Sequence, residues 1–349
     1  MKIAAAASAF PRHYYSQPML LAALKQYWGD KLQDVRMLER LHEHVGVGGR
    51  HLALPLESYL DLNTWGKAND AWIYAAEQTG QQAICRALTQ SGLGPKDPGA
   101  LFFISITGIA SPSIDARLIN RMGLSPNIRR VPIFGLGCVG GAAGIARAAD
   151  YVRAYPDQTA IVLAVEFCSL TLQRDDLSVP NLISSGLFGD GAAAVIVSGD
   201  DVDRPGPEIL ATRSIFYPDT EDVMGWDISE NGFRVVLSRE VPGMVRKHLA
   251  PDVDEFLRDY GLQRSDVGSW IMHTGGPAVL EAAEQAFDLR NGELEASWAC
   301  LRKTGNLSSA SVLVVLEDVM KHRKPEPGTF SILAAMGPGF CSELILLRW

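Results

Sequence analysis

Apolar residues in this chain alternate between two patterns: short unbroken runs and longer stretches spaced at three and four. Leu101–Thr107 (LFFISIT), Thr159–Val165 and Thr329–Ala335 are unbroken runs, the mark of strands covered on both faces. Lys2–Phe10, Glu208–Tyr217, Ser269–His273 and Ser342–Trp349 read as further strands. Helical spacing predicts helices over Leu20–His42, Asn69–Gly92, Asp115–Met122, Val241–Tyr260, Ala278–Phe287 and Ser308–His322. Val223–Leu237 reads as a hairpin around Glu230-Asn231-Gly232, and Val45–Leu54 as a mobile basic turn. Cys168–Leu187 reads as a mixed polar segment. Strand and helix alternation implies an α/β layered fold.

The most informative stretch is Val131–Tyr155, VPIFGLGCVGGAAGIARAADYVRAY. It reads as strand, tight turn and helix, with Cys138 at the first helical turn. Free amide N–H groups and the helix dipole favour a thiolate there. Gly137, Gly140 and Gly141 leave the sulfur approachable. Three readings compete: a buried thiol, a nucleophile, and a dinucleotide loop, because Gly135–Gly140 also fits G-x-G-x-x-G. A weak internal echo accompanies it. Cys138 and Asn306 each follow a glycine and open a helix of small residues, and each helix leads to a strand, a glycine turn (FGDG, MGPG) and another strand. Two related halves, 1–203 and 204–349, follow from this echo, with the two helix starts converging on one centre.

A cysteine nucleophile needs a proton acceptor. Of seven histidines, His13, His42, His44, His51, His248 and His322 lie in polar segments and read as solvated. His273 ends a buried strand before T-G-G-P and reads as facing a cavity. Asn306 is either a helix N-cap or a neutral amide donor to a developing oxyanion.

Composition narrows the classes. The 349 residues are 47% hydrophobic and 21% charged, as in an ordinary globular protein. A net charge of −8 gives no footprint for nucleic acid. Five scattered cysteines without C-x-x-C suggest neither disulfides nor a metal site, and they fit a cytoplasmic setting. The start MKIAAAASAFPRH reads as a strand and not as a leader, and no apolar run reaches the ~20 residues of a membrane span.

GLGCVGG, LFGDGAA, WIMHTGGP, TGNLSSASVL and MGPG, in this order, resemble the type III polyketide synthases, the chalcone synthase-like branch of the thiolase superfamily. The resemblance covers nearly the whole chain and makes the G-x-G-x-x-G match a decoy. It implies a five-layer αβαβα thiolase-like fold with two pseudo-repeated halves, a homodimer, malonyl-CoA and acyl-CoA as substrates, and no further cofactor or metal. It places a Cys-His-Asn triad on Cys138, His273 and Asn306. By the same resemblance Phe188 is a gatekeeper and Val235 stands where a second gatekeeping phenylalanine is usual. Thr107, Cys168 and Thr171 match positions lining the acyl cavity, Ser308 follows the triad asparagine, and Met336-Gly337 belongs to the closing loop. Arg50, with Arg302 or Lys303, is a candidate cation at the mouth of the CoA site. The run Met224–Pro242 looks most like bacterial synthases making alkylpyrones or alkylresorcinols from fatty acyl-CoA. Three other readings are a type III synthase using a malonyl or aromatic starter, a ketoacyl-acyl-carrier-protein synthase III, which usually has glutamine, alanine and asparagine after the histidine, and a non-catalytic partner of the same fold, which the presence of all three triad residues argues against.

Overall fold

A computed structural model describes residues 1–32 and 34–349. Nine of its strands form one hydrogen-bonded series, and four others form two two-stranded sheets. The series is two sheets meeting at one residue pair, Lys2 opposite Glu208. In the first half, Lys2–Ala9, Asp190–Ser198, Thr159–Phe167, Ala100–Ile104 and Arg129–Ile133 lie side by side in that order. In the second half the order is Glu208–Phe216, Cys341–Arg348, Phe330–Gly337 and Val267–Met272. Parallel pairs connect through helices; Phe330–Gly337 and Cys341–Arg348 join antiparallel by a tight turn.

Three apolar cores define five layers. One core lies between the sheets and belongs to the helices Gly140–Ala154 and Ser311–His322. The second packs the outer face of the second sheet against Val241–Arg258 and Pro277–Phe287. The third packs the first sheet against Trp65–Ser91 and Ile114–Met122. Every residue of Thr159–Phe167 and of Asp190–Ser198 is buried, because helices cover both faces. This is the layered thiolase-like arrangement that the resemblance implied.

Several expected elements differ. Leu20–His42 is two helices, Gln17–Trp28 and Val35–His44, interrupted at Gly29-Asp30; Gln33 lies outside the described residues. Val45–Leu54 is not a mobile turn. Gly49–Leu52 is a strand paired antiparallel with His13–Ser16, and its register places Arg50 opposite Tyr15. The helix Val179–Leu187 was hidden by the polar look of its neighbours, and Glu295–Thr304 by its mixed composition. His42 is buried, not solvated: its ring is within hydrogen-bonding distance of the Gln17 amide at 3.3 Å and the Ser185 hydroxyl at 3.2 Å. No helix among the described residues is long and apolar enough to cross a membrane.

The two central helices meet at their N-terminal ends, as the internal echo required. A Cβ on Gly141 would stand 2.2 Å from the Ser309 carbonyl oxygen and 3.1 Å from a Val312 methyl. Only glycine permits that approach. Gly141→Ala should therefore cost more than about 3 kcal/mol in urea unfolding, since backbone must move. Gly243→Ala, where a Cβ meets nothing within 4 Å on the exposed face of the helix Val241–Arg258, should be neutral or stabilising by about 1 kcal/mol. Equal urea midpoints for the two variants would refute the glycine-only contact.

Candidate active site

The strand Arg129–Ile133 leads through Gly135 and Gly137, both at positive φ, into one 3₁₀ turn and then the helix Gly140–Ala154. Cys138 occupies that turn and is nearly buried. The same motif recurs in the second half: a 3₁₀ turn Ser308–Ala310 precedes Ser311–His322. Asn306 stands just before it. Its Oδ1 accepts from the Ser308 N–H at 2.8 Å and from the Ser311 hydroxyl at 3.3 Å. The capping reading of Asn306 is thus realised by its oxygen, while its Nδ2 amide donates to the Gly275 carbonyl at 3.5 Å beside the cavity. Ser308 takes φ 48°, a left-handed conformation unusual for serine, and its hydroxyl accepts from the Cys138 thiol at 3.9 Å.

His273 follows the buried strand Val267–Met272, its N–H donating to Ala334 O at 3.0 Å. Among the described residues neither ring nitrogen has a hydrogen-bond partner. Cys138, His273, Asn306, Ser308 and Met336 border one cavity of about 500 Å³. Burial pushes the Cys138 thiol up to about 12, against the pull of Ser308, Asn306 and its own backbone N–H. Burial pushes the His273 imidazolium down to about 3. Each group alone is therefore neutral at pH 7. A thiolate and an imidazolium formed by proton transfer within this site would appear together and offset each other's desolvation.

A second cavity of about 450 Å³ lies behind the first, toward the helix Gln17–Trp28. Cys168, Phe188, Trp226 and Val235 border both cavities. Trp226 and Val235 face each other across the hairpin Met224–Ser229/Gly232–Leu237, so one cross-strand pair and the Phe188 ring form the partition.

The other expected lining residues divide. Thr171 borders only the second cavity, and its hydroxyl donates to Cys168 O at 2.8 Å. Thr107 borders neither. Its hydroxyl donates to Glu166 at 2.8 Å and accepts from Trp72 Nε1 and the Phe167 N–H, which turns it into the wall. Gly337 packs behind the nucleophile turn, where a Cβ would meet Leu136 O and Val139 N at 2.7 Å, while Met336 and Pro338 face the cavity. Arg50 is not at any mouth. It is 3% exposed and borders the second cavity from within. Arg302 pairs on the surface with Glu295. Exposed His44, read from the sequence as solvated, and exposed Arg239 border the first cavity.

Glu166 closes the apolar run after Val165, and as the acidic residue after the Gly135–Gly140 match it belongs to the dinucleotide decoy. It is fully buried and accepts from Ser309, Thr107, Ser105 and the Ile106 N–H. Burial raises its carboxyl to about 7, against those hydrogen bonds. Its charge in turn pushes the Cys138 thiol up. Glu166→Gln removes that charge only where Glu166 is ionised. Iodoacetamide should therefore alkylate Cys138 about threefold faster in Glu166→Gln than in wild type at about pH 8.5, and the two rates should converge near pH 5.5. A rate ratio independent of pH, read by mass spectrometry of the Cys138 peptide, would contradict the coupling.

Comparison with known proteins agrees with this geometry. The family "Chalcone and stilbene synthases" matches as its N-terminal domain over residues 31–201 and as its C-terminal domain over residues 208–349. A 1,3,6,8-tetrahydroxynaphthalene synthase of Streptomyces peucetius subsp. caesius is 50% identical over 99% of this chain and 93% of its own length. A putative chalcone synthase of Bacillus subtilis (strain 168) is 34% identical over 98% and 97%. The crystal structure of the tetrahydroxynaphthalene synthase of Streptomyces coelicolor A3(2), described as a bacterial type III polyketide synthase, superposes with TM-score 0.95 at 33% identity, covering 100% of this chain and 99% of that one. The polyketide synthase PKS-I of the brown alga Ectocarpus siliculosus gives TM-score 0.92 at 28% identity, covering 99% and 97%. The ketoacyl synthase and non-catalytic readings fall away: the chain belongs to the chalcone and stilbene synthase family and is a type III polyketide synthase, a carbon–carbon bond-forming transferase.

Proposed function

We propose that the chain builds a poly-β-ketone from malonyl-CoA on Cys138 and cyclises it to a polyhydroxylated aromatic product of the naphthalene type. The observation that carries this reading is the meeting of Cys138, His273 and Asn306 on one cavity. The Cys138 thiolate attacks a thioester carbonyl, and CoA leaves as its thiol with the proton. Malonyl-CoA then loses CO2 while the His273 and Asn306 N–H donors hold its thioester oxygen, where negative charge develops. The enolate carbon bonds to the acyl carbonyl carbon, the bond to Cys138 breaks, and the thiolate returns. The chain, now two carbons longer, stands on CoA. Neither a metal nor a redox group enters this balance.

The aromatic product is favoured over the fatty-acyl pyrone or resorcinol suggested by Met224–Pro242, because a relative 50% identical over 99% of the chain is a tetrahydroxynaphthalene synthase. The naphthalene skeleton is a whole number of two-carbon units, as a malonyl-only chain requires. The fatty-acyl starter stays as a second reading on one observation: the second cavity behind Phe188, Trp226 and Val235 has room for an alkyl tail. His44 and Arg239, at the surface beside the first cavity, are proposed to meet CoA phosphates. The homodimer and the cytoplasmic setting are carried forward as part of this reading. The strand Arg129–Ile133 supports the dimer, ending the sheet with a free edge beside exposed Phe134.

Purified protein given malonyl-CoA alone should release CO2 and form an aromatic polyketide seen by liquid chromatography with mass detection. Adding dodecanoyl-CoA tests the second reading, through appearance of an alkylpyrone. Cys138→Ala should retain the wild-type circular dichroism spectrum and lose product by more than about a thousandfold. Turnover surviving in Cys138→Ala, or no polyketide from malonyl-CoA with or without an acyl starter, would overturn the proposal.

A further inference from the structure

Arg50 is the buried cation for which the chemistry above has no use. Burial lowers its guanidinium to about 10, against the attraction of Asp190, so at neutral pH it is still charged. Its partners carry no formal charge. Nη1 donates to Gln17 Oε1 at 2.5 Å and to Gly186 O at 2.7 Å, and Nη2 donates to Ser185 O. Ser185 and Gly186 lie in the last turn of the helix Val179–Leu187. Carbonyls there have no partner within the helix and carry the negative end of its dipole. A guanidinium from the strand Gly49–Leu52 therefore caps this helix from outside. Gln17 and His42 complete the layer: the Gln17 amide donates to Gly186 O at 3.0 Å, and His42 is 3.2 Å from the Ser185 hydroxyl.

The end of that helix is tied directly to the active site. Asn306 N–H donates to Leu187 O at 2.9 Å, and Gly189 N–H donates to Asn306 O at 3.0 Å. Phe188 and Asn306 thus form an isolated parallel bridge. The stem of Arg50 runs beneath both partners. A Cβ on Gly189 would stand 3.3 Å from Arg50 Cβ, and one on Gly305 would stand 3.6 Å from Arg50 Cδ. One guanidinium thereby fixes the helix end from which both the partition ring Phe188 and the donor Asn306 take their position.

We propose that Arg50 is a positioning residue for decarboxylation: it holds the Asn306 amide where the malonyl thioester oxygen becomes an enolate oxygen. The proposal rests on the reading of Asn306 as that donor. A planar fork suits the task, since it reaches two successive carbonyls and Gln17 at once, whereas a lysine ammonium presents one point. An amide displaced by a fraction of an ångström loses rate at the step that uses it and leaves other steps alone.

The test separates two steps in the full-length enzyme. CO2 release from malonyl-CoA reports the Asn306 step, and the mass of Cys138 after a single exposure to an acyl-CoA reports loading. In Arg50→Met the decarboxylation kcat should fall by about tenfold to a hundredfold, with KM for malonyl-CoA and the loading rate within about twofold of wild type. Arg50→Lys, which keeps the charge and one bond, should recover part of the loss, and it carries the test if Arg50→Met does not fold. Asn306→Ala, measured alongside, should lose decarboxylation at least as far. Wild-type decarboxylation in a folded Arg50 variant would overturn the proposal, as would equal losses in both steps, the mark of a merely loosened fold. If Asn306→Ala itself decarboxylates normally, the reading of Asn306 fails and takes the Arg50 proposal with it; loss in Asn306→Ala without loss at Arg50 refutes Arg50 alone.

Discussion

The contact on which the site depends is the meeting of two helix N-termini at the middle of the molecule. Gly141 and the Ser309 carbonyl stand too close for any side chain between them. That contact brings together turns from opposite halves of the chain, one with Cys138 and the other with Asn306 and Ser308. Neither half can make the site alone. The first supplies Cys138 at a helix start, the second Asn306 and the strand that leads to His273. A fold that packs both helices between two sheets also buries the site. Burial explains the electrostatics: a thiol pushed toward 12 and an imidazolium toward 3 are both neutral groups at pH 7.

Much of this was legible from residue order because it depends on local rules. Unbroken apolar runs marked the covered strands, and the repeated pattern of glycine, polar residue and small residues pointed to the convergence of Cys138 and Asn306. His273 was legible for the same reason, as a titratable group ending a buried strand. What stayed illegible was whichever depended on the partner across the fold. Thr107 and Thr171 looked alike, two small polar residues near the acyl site. Only the buried Glu166 carboxylate, which takes the Thr107 hydroxyl, decides that one faces the wall and the other the second cavity.

Arg50 and His42 were misread on one shared assumption, that charge and polarity mark solvated surface. The assumption is a sound average, but it fails where unpaired backbone carbonyls lie buried. The end of Val179–Leu187 is such a place, and that helix was itself unseen in the sequence. Gly46, Gly48 and Gly49 around Arg50 suggested mobility. In the fold Gly49 is needed for closeness, since a Cβ there would stand 2.8 Å from Tyr15 O. Glycine before a buried cation thus served packing, and the charge served a helix end.

The partition between the two cavities shows why product identity was beyond the sequence. Phe188 comes from the bridge to Asn306, Cys168 from the end of a buried strand, and Trp226 and Val235 from a two-stranded hairpin outside the main sheet. Valine at 235, where a second gatekeeping ring is usual, did not simply widen the mouth, because Trp226 stands directly opposite and restores the bulk from the facing strand. Size at one position therefore says little about the room available to a growing chain. The sum over facing positions does, and that sum exists only once the hairpin register is fixed by the fold.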